Sequence, residues 1–203
     1  MSRHLLYLVG QPGSGKSTLA AHLTRGIEVI TEEKPFARRY LVGDAHMREG
    51  DEPVATVVEL GAHRDKFSGT DALPMNVQPK VVQWLRETES EFVFGEGDRL
   101  ANDKFFRCVV SIPRGWFLHI AYLAVPASVA EERRAARAAE LGVEPQDPSW
   151  VKGRVSKARN LVDTWGSHVY RLNATRPVEE IAAELCAYDD PVVAALDAAR
   201  RGG

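Results

Sequence analysis

The chain has 203 residues, 44% of them apolar and 27% charged, and a formal net charge of −2. These values are ordinary for one globular domain with a sizeable core. They exclude a global electrostatic pull toward nucleic acid or anionic membrane, although a local basic surface stays open. Cys108 and Cys186 form no C-x-x-C pattern, the six histidines form no H-x-H or H-E-x-x-H, and no apolar run reaches about 18 residues, so no metal cluster and no membrane span are expected and a cytoplasmic location is.

The first element is the continuous apolar run Leu5–Val9, which reads as a strand buried on both faces. It leads into Gly10-Gln11-Pro12-Gly13-Ser14-Gly15-Lys16-Ser17, a match to G-x-x-x-x-G-K-[ST]. Glycines let the backbone curl so that its N–H groups point at phosphate oxygens, and the following helix adds the positive end of its dipole. Lys16 is placed to reach the outer phosphates, and the Ser17 hydroxyl suits Mg²⁺; Gly10 through Thr18 are therefore the ATP-binding candidates. Ser17–Leu23 has Leu19 and Leu23 spaced i,i+4 and predicts the helix that confirms the motif's context, with Gly26 as its cap.

Ile27–Ile30 predicts a short extended piece, Glu32–Pro35 a loop, and Tyr40–Gly43 a strand ending at Asp44. Glu49–Pro53 is a polar loop before the β-rich run Val54–Leu60. These last two runs make either a hairpin or separate sheet members. Gly61–Asn76 is long and irregular, as functional loops are. His63, Arg64, Asp65, Ser68, Thr70 and Asp71 offer it donors and acceptors, and His63, Arg64 and Asp71 are taken as substrate-binding candidates. A helix is expected over Val77–Arg86.

Phe92–Gly95 is the next apolar run, followed at once by Glu96-Gly97-Asp98-Arg99. Ligands gather at the carboxyl edge of parallel sheets, so acids at a strand end can hold Mg²⁺ through water or accept a hydroxyl proton, and an arginine can bridge phosphates. Ser17 and Asp98 are the metal candidates, with Glu96 as an alternative to Asp98. A helix follows over Asn102–Val110, and Trp116–Val125, the most apolar run, predicts a central strand. Pro126 opens a long helix to about Leu141, capped by Gly142. Its Arg133 and Arg137 share one face and repel unless an anion lies between them.

After a linker over Gly142–Pro148, Trp150–Trp165 carries the apolar stripe Val151, Val155, Ala158, Val162 and Trp165, flanked by Lys152 and Arg159 on one side and Arg154 and Lys157 on the other. Arg154 and Lys157 are further substrate-binding candidates. A last strand at Val169–Leu172 and helices over Pro177–Cys186 and Val192–Arg200 complete the chain, with Asn173-Ala174-Thr175 following that strand.

The P-loop, the acid-and-arginine element at Glu96–Arg99 and the arginine-rich helix at Arg133–Arg137 occur in the order that resembles the thymidylate kinases and deoxynucleoside kinases. Glu-Gly-Asp-Arg is neither the Asp-Arg of the first group nor the Glu-Arg-Ser of the second. Phe67–Leu73, Gly95–Leu100 and Trp150–Arg154 are similar to a narrower set, the short bacteriophage kinases that phosphorylate 5-hydroxymethyluracil within DNA. The resemblance implies an α/β, three-layer P-loop NTPase fold over residues 1–203, with a mostly parallel sheet and an α-helical lid at about 126–165. It implies ATP and Mg²⁺, and a nucleoside, nucleotide or modified DNA base as acceptor. Lys16, Arg99, Arg133 and Arg137 would stabilise charge, and one of Asp44, Glu96 and Asp98 would be the base. A homodimer is one option for assembly. An ATPase and an ATP-dependent binding module are the other classes left open.

Overall fold

The computed structural model describes residues 2–27, 29–41, 56–62, 69–113 and 115–201. The expected candidates Asp44, His63 and Arg64 lie outside the described residues, as do Asp65, Phe67 and Ser68.

Strand β1 (Arg3–Val9) is buried on both faces and forms the pivot of a seven-stranded sheet. With β2 (Val29–Lys34), β3 (Ala37–Leu41), β4 (Thr56–Leu60), β5 (Phe92–Glu96), β6 (Trp116–Ala124) and β7 (Val169–Asn173), the order across the sheet is β2-β3-β4-β5-β1-β6-β7. The β4–β5, β5–β1, β1–β6 and β6–β7 pairings are parallel; β2–β3 and β3–β4 are antiparallel. This is the expected α/β architecture with a mostly parallel sheet.

Alternate residues of β1 feed two separate cores, which makes the fold three-layered. Leu5, Tyr7 and Val9 face α2 (Gln78–Glu87), α3 (Asp103–Val110) and the C-terminal half of α5 (Pro148–Thr164), meeting Leu85, Phe105, Phe106 and Val162. Leu6 and Leu8 face α1 (Lys16–Leu23), α6 (Val178–Cys186) and α7 (Pro191–Arg201), meeting Leu19, Leu23, Leu185 and Leu196. Burying such side chains contributes roughly 1.5–3 kcal/mol each, so the two-sided run is the fold's main anchor.

The connection that leaves β1 runs to β2 at one edge of the sheet, and the one that leaves β5 crosses β1 to β6 on the other side, so the adjacent strands β1 and β5 continue in opposite directions. Ligands bind at such a switch point, beyond the strands' carboxyl ends. The P-loop leaves β1 there, between the end of β5 at Glu96 and the end of β6 at Ala124.

Four expectations need correction. Glu32 and Glu33 belong to strand β2, where a loop was predicted, because β2 is an edge strand and charge is tolerated at a sheet edge. Strand β3 starts at Ala37, before the predicted Tyr40, and its antiparallel pairing with β4 selects the hairpin-like arrangement. The apolar β6 is one strand from the edge, flanked by β1 and β7, and its Phe117 is 58% exposed; its apolar run reflects cover by helices rather than a central position. Helix α5 begins two residues early, at Pro148, because Asp147 caps it by accepting from the Trp150 N–H at 2.8 Å and Pro148 suits the first turn. Helix α4 (Ala127–Leu141) ends as predicted, with Gly142 in the left-handed conformation. No helix among the described residues is long and apolar enough to cross a membrane.

Candidate active site

The loop Gly10–Ser17 closes on itself before the first turn of α1: the Ser14 N–H donates to Gln11 O at 3.0 Å, and Lys16 Nζ donates to Gly10 O at 2.9 Å and Gln11 O at 3.4 Å. Gln11 ties the loop to the end of β6 by donating from Nε2 to Val125 O at 2.8 Å. Gly13 has φ +83, and a Cβ there would stand 2.3 Å from Ala130 O of α4; only glycine permits both the turn and the close approach of that helix. Pro12, Gly15 and Ser17 are half-buried beside it, and Thr18 is exposed.

Two arginines of α4 reach this loop. Arg134 donates to Pro12 O at 2.9 Å, and Arg133 donates to Ala174 O at 2.9 Å, with its Nη1 lying 3.9 Å from the Cβ position of Gly15. Arg137 is exposed and one turn further on. Of the expected pair Arg133 and Arg137, Arg133 is held by the Ala174 carbonyl beside the loop, while Arg137 lies in solvent. Arg134 was legible only as part of a basic run, since nothing in the sequence shows that its face meets Pro12.

Across the loop stands the end of β5. Glu96 is 2% exposed, and its Oε1 accepts the Ser17 hydroxyl at 3.1 Å. Burial pushes the Glu96 carboxyl up to about 7, opposed by the positive charge of Lys16 and the Ser17 hydrogen bond and reinforced by Asp71. A neutral-range carboxyl beside a hydroxyl and an ammonium is an incomplete charge arrangement, and perturbed groups of this kind mark functional sites.

Behind Glu96 lies a short 3-10 turn, Gly69–Ala72. Thr70 Oγ1 donates to Glu96 O at 2.9 Å. The buried Tyr7 hydroxyl donates to Gly97 O at 2.9 Å and lies 2.8 Å from Thr70 Oγ1. Asp71 Oδ1 accepts from the backbone N–H of Asp98 at 2.7 Å and of Arg99 at 3.1 Å. Burial and the neighbouring Asp98 charge raise the Asp71 carboxyl despite those donors. Tyr7 was missed in the sequence because it reads as one more apolar residue of a buried strand.

Helix α5 supplies the opposite wall. Arg154 Nε pairs with Asp98 Oδ2 at 3.1 Å, and Lys157 Nζ donates to Asp98 O at 2.7 Å. Burial lowers the Lys157 ammonium, with Asp98 opposing. The Arg154 guanidinium also lies 5.1 Å from the ring of Trp150, which is 42% exposed. Arg99 donates to Asp71 O at 3.4 Å, contacts the Met75 sulfur, and keeps a buried Nε with no partner among the described residues. The predicted residues Asp71, Asp98, Arg99, Arg154 and Lys157 thus form one cluster, and Lys16, Ser17 and Glu96 form another beside it.

The loop fits a nucleotide's phosphates on three counts: Ser14 Oγ is buried with no partner among the described residues, Lys16 bonds only loop carbonyls among the described residues, and Gly13 and Gly15 both hold positive φ. A hydroxyl and a carboxylate, Ser17 and Glu96, form a hard oxygen donor set of the kind Mg²⁺ uses. Two surface concavities, about 390 Å³ beside Trp116 and Tyr170 and about 490 Å³ beside Gln78 and Arg86, lie apart from this edge and gather no phosphate-binding backbone.

A model of the P-loop Nucleotide Kinase3 family matches residues 1–185, and the chain belongs to that family. No curated protein matches it by sequence. Among solved structures, a gluconokinase from Sinorhizobium meliloti 1021 is similar with a TM-score of 0.50 and 16% identity, over 96% of this chain and 91% of that one, a likeness of fold alone. Fold and family together support an ATP-dependent kinase of the P-loop class.

Proposed function

We propose that this P-loop kinase transfers the γ-phosphoryl group of ATP to a hydroxyl of a nucleotide-type acceptor, with the hydroxymethyl group of 5-hydroxymethyluracil in DNA as the acceptor. The observation that carries the reading is the pairing of two charged clusters at one sheet edge. Lys16, Ser17 and Glu96 lie on the donor side, and Asp98, Arg99, Arg154 and Lys157 lie on the other. The DNA acceptor rests on the resemblance at Phe67–Leu73, Gly95–Leu100 and Trp150–Arg154.

In this reading the loop N–H groups and Lys16 hold the donor phosphates, while Arg133 lies close enough over Gly15 to add charge there. Ser17 and Glu96 would hold Mg²⁺, which when bound neutralises charge on the outer phosphates. Asp98 accepts the acceptor's hydroxyl proton once Arg154 turns from its carboxylate to the acceptor's own phosphate. Arg99, which rests on Asp71 O and the Met75 sulfur, would add charge to the transferring group. Helix α4 and the exposed first half of α5 form the lid, and closure excludes water so that transfer outruns hydrolysis. A base in DNA reaches such a site flipped out or single-stranded, with Lys152, Arg154 and Lys157 along the backbone.

The test is a transfer screen with γ-labelled ATP over nucleosides, nucleoside monophosphates and hydroxymethylated DNA. Label in the DNA supports the polymer acceptor. Label only in free nucleosides or monophosphates replaces it with the small-molecule reading.

A further inference from the structure

The turn Gly69–Ala72 touches every part of the element that ends β5. Gly69 lies on the Glu96 carboxylate so closely that a Cβ would stand 2.2 Å from Oε1. Thr70 holds Glu96 O, Tyr7 holds Gly97 O, and Asp71 holds both the Asp98 and Arg99 N–H groups through one oxygen. On its other side the turn joins β4: Ala62 N donates to Gly69 O at 3.1 Å, and a Cβ on Gly61 would stand 2.5 Å from Gly69 C. Gly95, paired with Tyr7 in register, leaves room for the phenol, since a Cβ there would stand 3.0 Å from Tyr7 Cε2.

Tyr7 and Thr70 bring one hydroxyl hydrogen each to three contacts: Thr70 Oγ1 with Glu96 O, the Tyr7 hydroxyl with Gly97 O, and the 2.8 Å contact between the two hydroxyls, in which either can donate. Burial holds the Tyr7 phenol well above its ordinary range, and it stays a neutral donor. Asp71 Oδ1 receives two N–H donors, a role that an amide oxygen fills as well as a carboxylate oxygen does.

Resting on the kinase reading above, we propose that Asp71 is a positioning residue, not a base or an acceptor-binding charge: through Oδ1 it fixes Asp98 and Arg99 to the same turn that Thr70 fixes to Glu96. The 3-10 turn thereby makes the donor-side and acceptor-side carboxylates one rigid unit. Any shift of Gly69–Ala72 then moves Glu96 and Asp98 together.

The test compares Asp71→Asn, Asp71→Ala and Thr70→Val. Two readouts are taken: turnover in γ-phosphoryl transfer, and the gain in fluorescent ADP affinity on adding Mg²⁺. Asp71→Asn keeps the Oδ1 acceptor, so its turnover and its Mg²⁺ gain should stay within about threefold of the parent, and its pH–rate profile should keep an acidic limb, displaced only as the loss of the Asp71 charge beside Glu96 requires. Asp71→Ala should lose about tenfold or more in both, the ordinary consequence of orphaning buried donors. Thr70→Val should lose a similar factor without touching any carboxyl. An Asp71→Asn variant that folds and is as impaired as Asp71→Ala, or that loses the acidic limb, overturns the proposal. The Asn variant decides even where the Ala variant does not fold. Should the parent transfer phosphate to no acceptor, the kinase reading fails by itself, while the ADP readout still judges Asp71.

Discussion

Replacing Glu96 with glutamine should stabilise the protein at alkaline pH. The carboxyl is 2% exposed and its pKa is raised from 4.5 to about 7, chiefly by burial. The folded state therefore binds this proton more tightly than the unfolded state does. Stability from the protonated group is fully present below about pH 4.5, declines as pH rises through the window from 4.5 to 7, and is gone above it. A displacement of that size corresponds to about 3 kcal/mol. The glutamine side chain would keep the shape of the original and an oxygen for the Ser17 hydroxyl but carry no charge to desolvate. In nucleotide-free and metal-free protein, Glu96→Gln should match the parent at pH 4 and exceed it at pH 8 by up to about 3 kcal/mol. For a domain of this size that is on the order of 6–12 °C in melting temperature. Thermal unfolding of both proteins from pH 4 to 8 measures it. Parallel melting curves across that range would refute the reasoning, since they would show that folding does not strain the Glu96 charge.

Lys16→Ala should abolish phosphoryl transfer while its far-ultraviolet spectrum and melting temperature stay near the parent's, because the half-buried Lys16 hydrogen-bonds to the loop carbonyls of Gly10 and Gln11. Arg134→Ala removes the charged donor that ties α4 to Pro12, and fluorescent-ATP titration should show affinity about tenfold weaker or more, the scale of one charged hydrogen bond. Gly13→Ala should abolish ATP binding in the same titration, since its Cβ would collide with Ala130 O at a positive φ. For a single-stranded hydroxymethylated DNA, affinity should fall with salt at a log–log slope of roughly −2, about −0.7 for each of three phosphate contacts. The double variant Arg154→Ala, Lys157→Ala should flatten that slope by more than about one unit.

How much of this was readable in advance depends on whether the signal was local. The P-loop is a contiguous pattern fixed by phosphate geometry, and its strand and helix flanks follow the two periodicities of β1 and α1. The parallel core and both basic helices could be read from apolar runs for the same reason. The strand order could not, because the neighbours of β6 are set by tertiary pairing and its own sequence is silent on them. The edge strand β2 hid behind Glu32 and Glu33, charges that argue for a loop until its place at the sheet edge is known. Within the site, Glu96, Asp98 and Arg99 stood out as two acids and an arginine after a buried strand, yet the sequence left Glu96 and Asp98 interchangeable. The structure separates them by partner: Glu96 meets Ser17, and Asp98 meets Arg154. Tyr7 and Thr70 act through hydroxyls aimed at backbone carbonyls some distance away in the chain, a contact that leaves no periodic trace.

The central claim is that the P-loop edge carries a phosphate from a nucleotide to an acceptor hydroxyl. It is tested most directly by following the label of γ-labelled ATP with hydroxymethyluracil-containing DNA present, in the parent and in Lys16→Ala. The account predicts that label accumulates in the acid-resistant DNA fraction of the parent faster than it appears as inorganic phosphate, and that Lys16→Ala transfers none. Label released solely as inorganic phosphate with every nucleoside, nucleotide and DNA acceptor, or transfer at an equal rate by Lys16→Ala, would contradict it.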